Sequence, residues 1–363
     1  MSLSVSIRKR LGDFSLDVQF QAADVPLALF GASGCGKSVT LKCIAGILRP
    51  DEGRIVLDDR VLFDSAAGID LPPQQRHVGY LFQQYALFPN MTVRQNIAAA
   101  VRRRDRREAL VQELLHRFRL EDKASLRPRQ LSGGQQQRTA LARILASEPS
   151  AILLDEPFSA LDSYLRSQLE VELAEFLSDF RGPLLWVSHD RGEVLRNCPA
   201  ICVMEHGRSQ PVTTAQDLMG RPATEAAARL SGCENFADAA VGSQQVSLPQ
   251  WGITLPISRP VPAGRCRAGI RARSVRHVPD GTPHAFSCTV VRVMPDAFDH
   301  TLLLRPDHAA PDAPLLRMAY PSGGSVPVEG SHIAISIRPE DILLFESEKG
   351  EDDHVQSRSC DSQ

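Results

Sequence analysis

"GASGCGKSVT", residues 31–40, decides how the rest of the chain is read. Its spacing from Gly31 to Ser38 is G-x-x-x-x-G-K-S, the pattern of a loop whose backbone N–H groups wrap a phosphate chain. In that reading Gly31, Ala32, Ser33, Gly34, Cys35 and Gly36 form the cradle. Lys37 sets a point charge beside the outer phosphates, Ser38 offers a hydroxyl to Mg²⁺, and Val39 lies in the first turn of a helix whose positive end faces the anion. Such a motif needs a strand before it and a helix after it. "VPLALF" (25–30) reads as a buried strand, while "SVTLKCIAGIL" (38–48) has apolar residues at helical spacing and stops against Arg49 and Pro50.

Working outward, "AILLDEP" (151–157), "PLLWVSH" (183–189) and "AICVMEHG" (200–207) are apolar runs that end on polar residues and alternate with helical segments. The pattern places the chain in the α/β class, with a parallel sheet covered on both sides and ligands at its C-terminal strand ends. Lys37, Asp155, Glu156 and His189 all fall at such ends. Adjacent strand residues face opposite sides, so Asp155 can hold Mg²⁺ through a water while Glu156 polarises an attacking water. The plainer reading of the pair is two solvated charges at a strand tip. "LSGGQQQR" (131–138) puts Ser132, Gly133 and Gly134 ahead of a second helix, and reads either as a second anion cradle or as a glycine-containing cap. Residues 3–20 form two alternating strands around Gly12-Asp13, and "GRIVLDDRVLF" a hairpin turning at Asp58-Asp59.

At 363 residues the chain is long enough for two domains, and 43% hydrophobic with 23% charged residues is ordinary globular composition. A net charge of −2 creates no field to attract nucleic acid or an anionic membrane. "VRRRDRREAL" (101–110) has no interleaved aromatics, so it reads as a solvated helix face, and no nucleic-acid partner is expected. The N-terminal stretch lacks an apolar core of signal-peptide length, and no stretch approaches the roughly 20 apolar residues of a membrane helix. Eight scattered cysteines without C-x-x-C spacing read as reduced thiols. Cys35, at a helix N-terminus beside Lys37, is expected either to react with alkylating reagents or to be an inert buried residue.

From Phe236 onward the character changes to short alternating stretches separated by Pro, Gly and Asp, as expected of a small all-β domain. "CRAGIRARSVRHV" (266–278) and "IAISIRPEDILLF" (333–345) look alike, a weak repeat suggesting two halves of one barrel. The reading divides the chain at 1–232, 233–345 and a polar tail, 346–363, with a helical insertion over about 84–145.

The glycine loop, "LSGGQ", "ILLDEP", "SALD" and "SHD" occur in the order and spacing of the ATP-binding cassette family, which this chain therefore resembles. The resemblance implies a P-loop NTPase cassette with a helical subdomain, ATP and Mg²⁺ as ligands, and two copies paired head to tail. Each ATP would then lie between the phosphate loop of one copy and Ser132, Gly133, Gly134 and Gln135 of the other. By the same resemblance Gln83 in "YLFQQYALFP" senses Mg²⁺ and the attacking water, Asp162 communicates across the dimer, and His189 steadies the γ-phosphate. Taken alone, a Gln or His at these places is more often structural. Where relatives carry an aromatic to stack on adenine this chain has Leu11, with Phe14 close by to compensate.

A single cassette without a long insertion between Gln83 and Leu131 favours a transporter over the repair, chromosome or translation ATPases of the family. The C-terminal repeat is similar to the small OB-like domain, of the TOBE/Mop kind, that bacterial importers append. The run "GRIVLDDRVLFDSAAGIDLPPQQRHVGYLFQQYALFPNMTV" resembles molybdate-import ATPases, with sulfate or thiosulfate, iron and polyamine import as alternatives. Such a protein is expected peripherally on the cytoplasmic face of the inner membrane. It would work with two permease subunits and a periplasmic or lipoprotein binding protein, and its β domain is a candidate oxyanion site.

Overall fold

The apolar runs that flank the glycine loop become the centre of one sheet in the computed structural model, which describes residues 1–159, 163–242, 244–257, 264–296, 298–322 and 325–346. Its contacts divide the chain into two units, Met1–Leu218 and Met219–Gln363. In the first, parallel strands lie in the order Ala200–Glu205, Leu27–Phe30, Leu184–Ser188, Ala151–Asp155 and Val78–Leu81. The second, third and fourth of these are buried at every residue, which is why they read as unbroken apolar runs rather than alternating ones. Because the strands share one direction, their C-terminal ends form a single rim. The glycine loop, Asp155, His189 and, two residues beyond Leu81, Gln83 all leave from it.

The same sheet continues into an antiparallel half. Leu3–Leu11 pairs with Phe14–Ala22 through the turn at Gly12, and then with Glu52–Leu57, which pairs in turn with Arg60–Asp64. Leu3, Val5, Ile7, Leu16, Val18, Ile55 and Phe63 turn inward and share a core with Leu41 and Ile44 of the loop's helix, Lys37–Ala45. A helical region supplies Val93–Ala98, Arg107–Arg117 and Gly133–Ala146. Arg102, Arg103, Arg106 and Arg107 of the basic cluster are exposed at and just ahead of the start of the second of these helices.

One arginine ties the glycine-loop helix to the sheet. Arg76 is fully buried between Asp70 and the strand Val78–Leu81. Its guanidinium donates to the carbonyls of Leu71 (2.7 Å), Cys43 (2.8 Å) and Ile44 (2.9 Å) and to Asp70 Oδ1 (2.9 Å). The last carbonyls of a helix have no partner within it, and Arg76 fills that need for Lys37–Ala45.

The second unit holds two five-stranded antiparallel sheets closed over one core that includes Trp251, Leu302, Leu304 and Ile335. The repeated segments explain its construction. Each runs strand, one 3₁₀ turn, strand: Gly264–Ile270, Ala272–Ser274 and Val275–His277, then His332–Ile337, Pro339–Asp341 and Ile342–Glu346. The turns are entered by Arg271 (φ −74°, ψ 142°) and Arg338 (φ −74°, ψ 144°), nearly identical backbone conformations. The two copies cross: Ile270 pairs with Ile342 in one sheet, and Val275 with Ile337 in the other. Each copy thus gives one strand to each sheet. No helix among the described residues is long and apolar enough to cross a membrane. Seven cysteines are described, all as free thiols, six of them buried.

Candidate functional site

The glycine loop is built as its sequence requires. Gly34 and Gly36 have φ of 82° and 104°, a region that side chains rarely enter. A Cβ on Gly36 would come within 2.6 Å of Leu16 Cδ1, and one on Gly31 within 2.2 Å of the Met204 carbonyl oxygen. Lys37 is buried, and its Nζ donates to the Gly31 and Ala32 carbonyls at 2.8 Å each, so the ammonium lies folded across the loop. Cys35 Sγ lies 3.8 Å from that Nζ, but the residue is only 6% exposed, which opposes the alkylation its chemistry invites. Gly36→Ala is expected to cost about 1–3 kcal/mol by overpacking a left-handed position. It should also abolish thermal stabilisation by a polyphosphate ligand, read by comparing thermal scans of the variant and the parent.

Asp155 closes its strand almost fully buried, with Oδ1 accepting from Ser38 Oγ at 2.7 Å and Oδ2 from the Tyr80 hydroxyl at 2.7 Å. Glu156 turns the other way. Its φ of 48° is a left-handed conformation in a non-glycine residue, of the kind that stores strain at functional sites, and its N–H donates to the Val187 carbonyl at 3.0 Å. His189 Nδ1 lies 3.2 Å from Glu156 Oε1, and Gln83 Nε2 donates to Ser159 Oγ at 3.1 Å and reaches Glu156 Oε2 at 3.5 Å. A cavity of about 340 Å³ is lined by Phe14, Gly34, Lys37, Ser38, Gln83 and Glu156, among others. It is large enough for a polyphosphate, with donors at its floor and a carboxylate at its mouth. Ser38 and Asp155, in contact below the loop, are the oxygen donors that a hard cation takes, and Asp155 has no ion-pair partner among the described residues.

The loop, Gln83, Asp155, Glu156 and His189 therefore converge. Ser132, Gly133, Gly134 and Gln135 do not line this cavity. Ser132 caps the helix Gly133–Ala146 in a reciprocal bond pair with Gln135, and stands exposed. Asp162 lies outside the described residues. Leu11 is 39% exposed at the turn, whereas Phe14 lines the cavity and is the aromatic available to a bound base.

Four further residues shape the site without a motif to announce them. Ser159 holds Gln83, and Tyr80 holds Asp155. From the helix Gly133–Ala146, buried Gln137 donates through Nε2 to the Pro157 carbonyl at 3.3 Å, beside Glu156. Arg143, on the same helix, donates to the carbonyls of Tyr85 (3.1 Å) and Ala86 (2.8 Å), two consecutive left-handed residues just past Gln83. One helix thus grips both segments that carry the polar groups of the cavity mouth. Spacing gave no sign of this, because Gln137 and Arg143 look like ordinary polar positions of an amphipathic helix.

The ABC transporter family profile matches residues 15–159. The molybdenum import ATP-binding protein ModC of Paramagnetospirillum magneticum is 38% identical over 287 residues, which covers 75% of this chain and 78% of that protein. The chain belongs to the ABC transporter family. Within it, the spermidine/putrescine import ATP-binding protein PotA of Acidothermus cellulolyticus is 37% identical over 268 residues, covering 70% of this chain and 68% of that protein. A solved bacterial ABC transporter cassette, described as dimeric, matches at 27% identity and a TM-score of 0.50, covering 59% of this chain and 99% of its own. The cavity opens at the rim formed by the C-terminal ends of the parallel strands.

Proposed function

We propose that this chain is the ATP-hydrolysing subunit of a membrane importer whose cargo is molybdate, working as a pair of copies beneath two permease subunits on the cytoplasmic face. The observation that carries the reading is the meeting of Glu156, Gln83 and His189 at the mouth of the phosphate loop. Glu156 is the general base, its carboxylate aimed across the cavity, with His189 and Gln83 fixing its two oxygens. Lys37 would leave the loop carbonyls to face the outer phosphates, and Ser38, Asp155 and Gln83 would hold Mg²⁺, which would neutralise charge on the phosphates. The helix N-terminus at Ser132–Gly134, where Ser132 is exposed, serves the nucleotide of the second copy. Contact made there is passed by Gln137 and Arg143 to the Glu156 and Gln83 segments, and the loop past Gln83 moves the permease. Asp162 would communicate between the two copies, and a binding protein would deliver cargo from outside. The cassette spans 1–232 in this reading, and 233–345 is the appended barrel.

The molybdenum and polyamine import relatives divide the cargo question, and the match over 78% of the molybdenum relative's own length, against 68% of the polyamine relative's, supports molybdate. Uptake by proteoliposomes holding this chain and its permease decides it. Molybdate should enter with ATP consumed, sulfate and spermidine should not compete at tenfold excess, and spermidine uptake in place of molybdate would reverse the assignment.

A further inference from the structure

Asp155 is nearly buried and has no ion-pair partner among the described residues, yet each of its oxygens is met by a hydroxyl. The donor to Oδ1, Ser38, is itself a metal ligand in the reading above, and its lone pairs must turn when a cation arrives. The donor to Oδ2, Tyr80, is not. It sits on the neighbouring parallel strand Val78–Leu81, opposite Leu153 in register, so that Leu153, Asp155 and Tyr80 share a face of the sheet. Its ring is buried in the core of the first unit, 4.3 Å from the ring of Phe82, and the bond to Asp155 is 2.7 Å long. An ordinary phenol is protonated across the working range, so Tyr80 is a donor to Asp155 Oδ2. A donor anchored in the core keeps its place whatever enters the cavity.

We propose that Tyr80 is a positioning residue of the metal site: by occupying Asp155 Oδ2 it leaves Oδ1 alone to face the cation, and thereby selects Mg²⁺ against Ca²⁺. The physical reason lies in how the two ions use carboxylates. Mg²⁺ is small, keeps most of its water and is held through few protein oxygens, whereas Ca²⁺ takes more oxygens and readily accepts both from one carboxylate. A carboxylate with one oxygen tied off suits the first ion and denies the second an extra ligand. The bond also orients Oδ1, since a carboxylate held at one oxygen cannot swing about its Cβ–Cγ axis. Nothing in the four-residue stretch "VGYL" separates this tyrosine from any other core aromatic.

This inference rests on the proposed ATPase reading, and the test separates the two. Binding of a fluorescent ATP analogue to full-length Glu156→Gln protein is titrated with Mg²⁺, with Ca²⁺ and with excess EDTA, alone and with Tyr80→Phe added. With Tyr80→Phe the Mg²⁺ needed for half-saturation should rise about tenfold, as expected for one hydrogen bond to a charged group. The Ca²⁺ requirement should stay constant or fall, and metal-free binding should be unchanged. Tyr80→Met, a second donorless variant of different shape, must give the same shift in the Mg²⁺ to Ca²⁺ ratio, and it stands in if Tyr80→Phe fails to fold. An unchanged ratio, equal weakening with both ions, or a loss of metal-free binding would overturn the assignment. If the Glu156→Gln parent itself binds no nucleotide with either ion, the ATPase reading fails instead.

Discussion

Glu156→Gln should bind ATP normally and hydrolyse it at about 10²–10⁴-fold below the parent rate, the usual contribution of a positioned general base. The change keeps the side chain's length and one carbonyl oxygen, so the contacts with His189 and Gln83 are weakened rather than emptied. It leaves Lys37, Ser38 and the glycine loop untouched, so the phosphate cradle survives. Two readouts follow from the same sample. ATP should still raise the melting temperature, and with ATP present the purified chain should sediment as a pair of copies that persists, because hydrolysis no longer releases it. Turnover within fivefold of the parent would show that a group other than Glu156 activates the water.

Arg76→Met should lower the stability of the cassette unit by about 2–5 kcal/mol, the cost of stripping a buried donor from backbone carbonyls at about 1–3 kcal/mol for each acceptor left unsatisfied. Methionine fills most of the space, so the loss reports bonding more than a cavity. The carbonyls of Leu71 and Ile44 lose their donor in one step, while that of Cys43 keeps only the N–H of Gly46 at 3.2 Å, and each buried acceptor left bare is costly. Asp70 is about a third exposed, 35%, and can recover by hydration. Hence adding Asp70→Asn to Arg76→Met should restore little. Urea unfolding followed by Trp186, in the central strand, measures both variants. A loss below about 1 kcal/mol for Arg76→Met, or recovery of most of it in the pair, would mean that the carbonyl contacts carry little of the stability.

Those two residues mark the difference between what could be read in advance and what could not. Glu156 was legible because a phosphate loop and a carboxylate at the tip of an apolar run are each defined by local spacing, and the runs themselves are unbroken where both faces of a strand are covered. Arg76 was not, because an arginine between Gln75 and His77 has the pattern of a surface loop, and only the fold buries it beneath a helix end thirty residues earlier. Tyr80 escaped for a related reason: its strand has four residues, and its partner, Asp155, is 75 positions away. The Ser132–Gly134 segment was found by its glycines and its capping pattern, yet a single chain does not bring it to the cavity. The C-terminal repeat was visible as a likeness between two segments, while the exchange of their strands depends on pairings that no local period encodes.

That exchange sets how the barrel can come apart. A peptide carrying one elbow would own an unpaired border in each layer and would have to find a twin to cover both, so the single chain reproduces what two short chains could make only by clasping. Pulling either arm free opens both layers together, and neither half has an unfolding of its own.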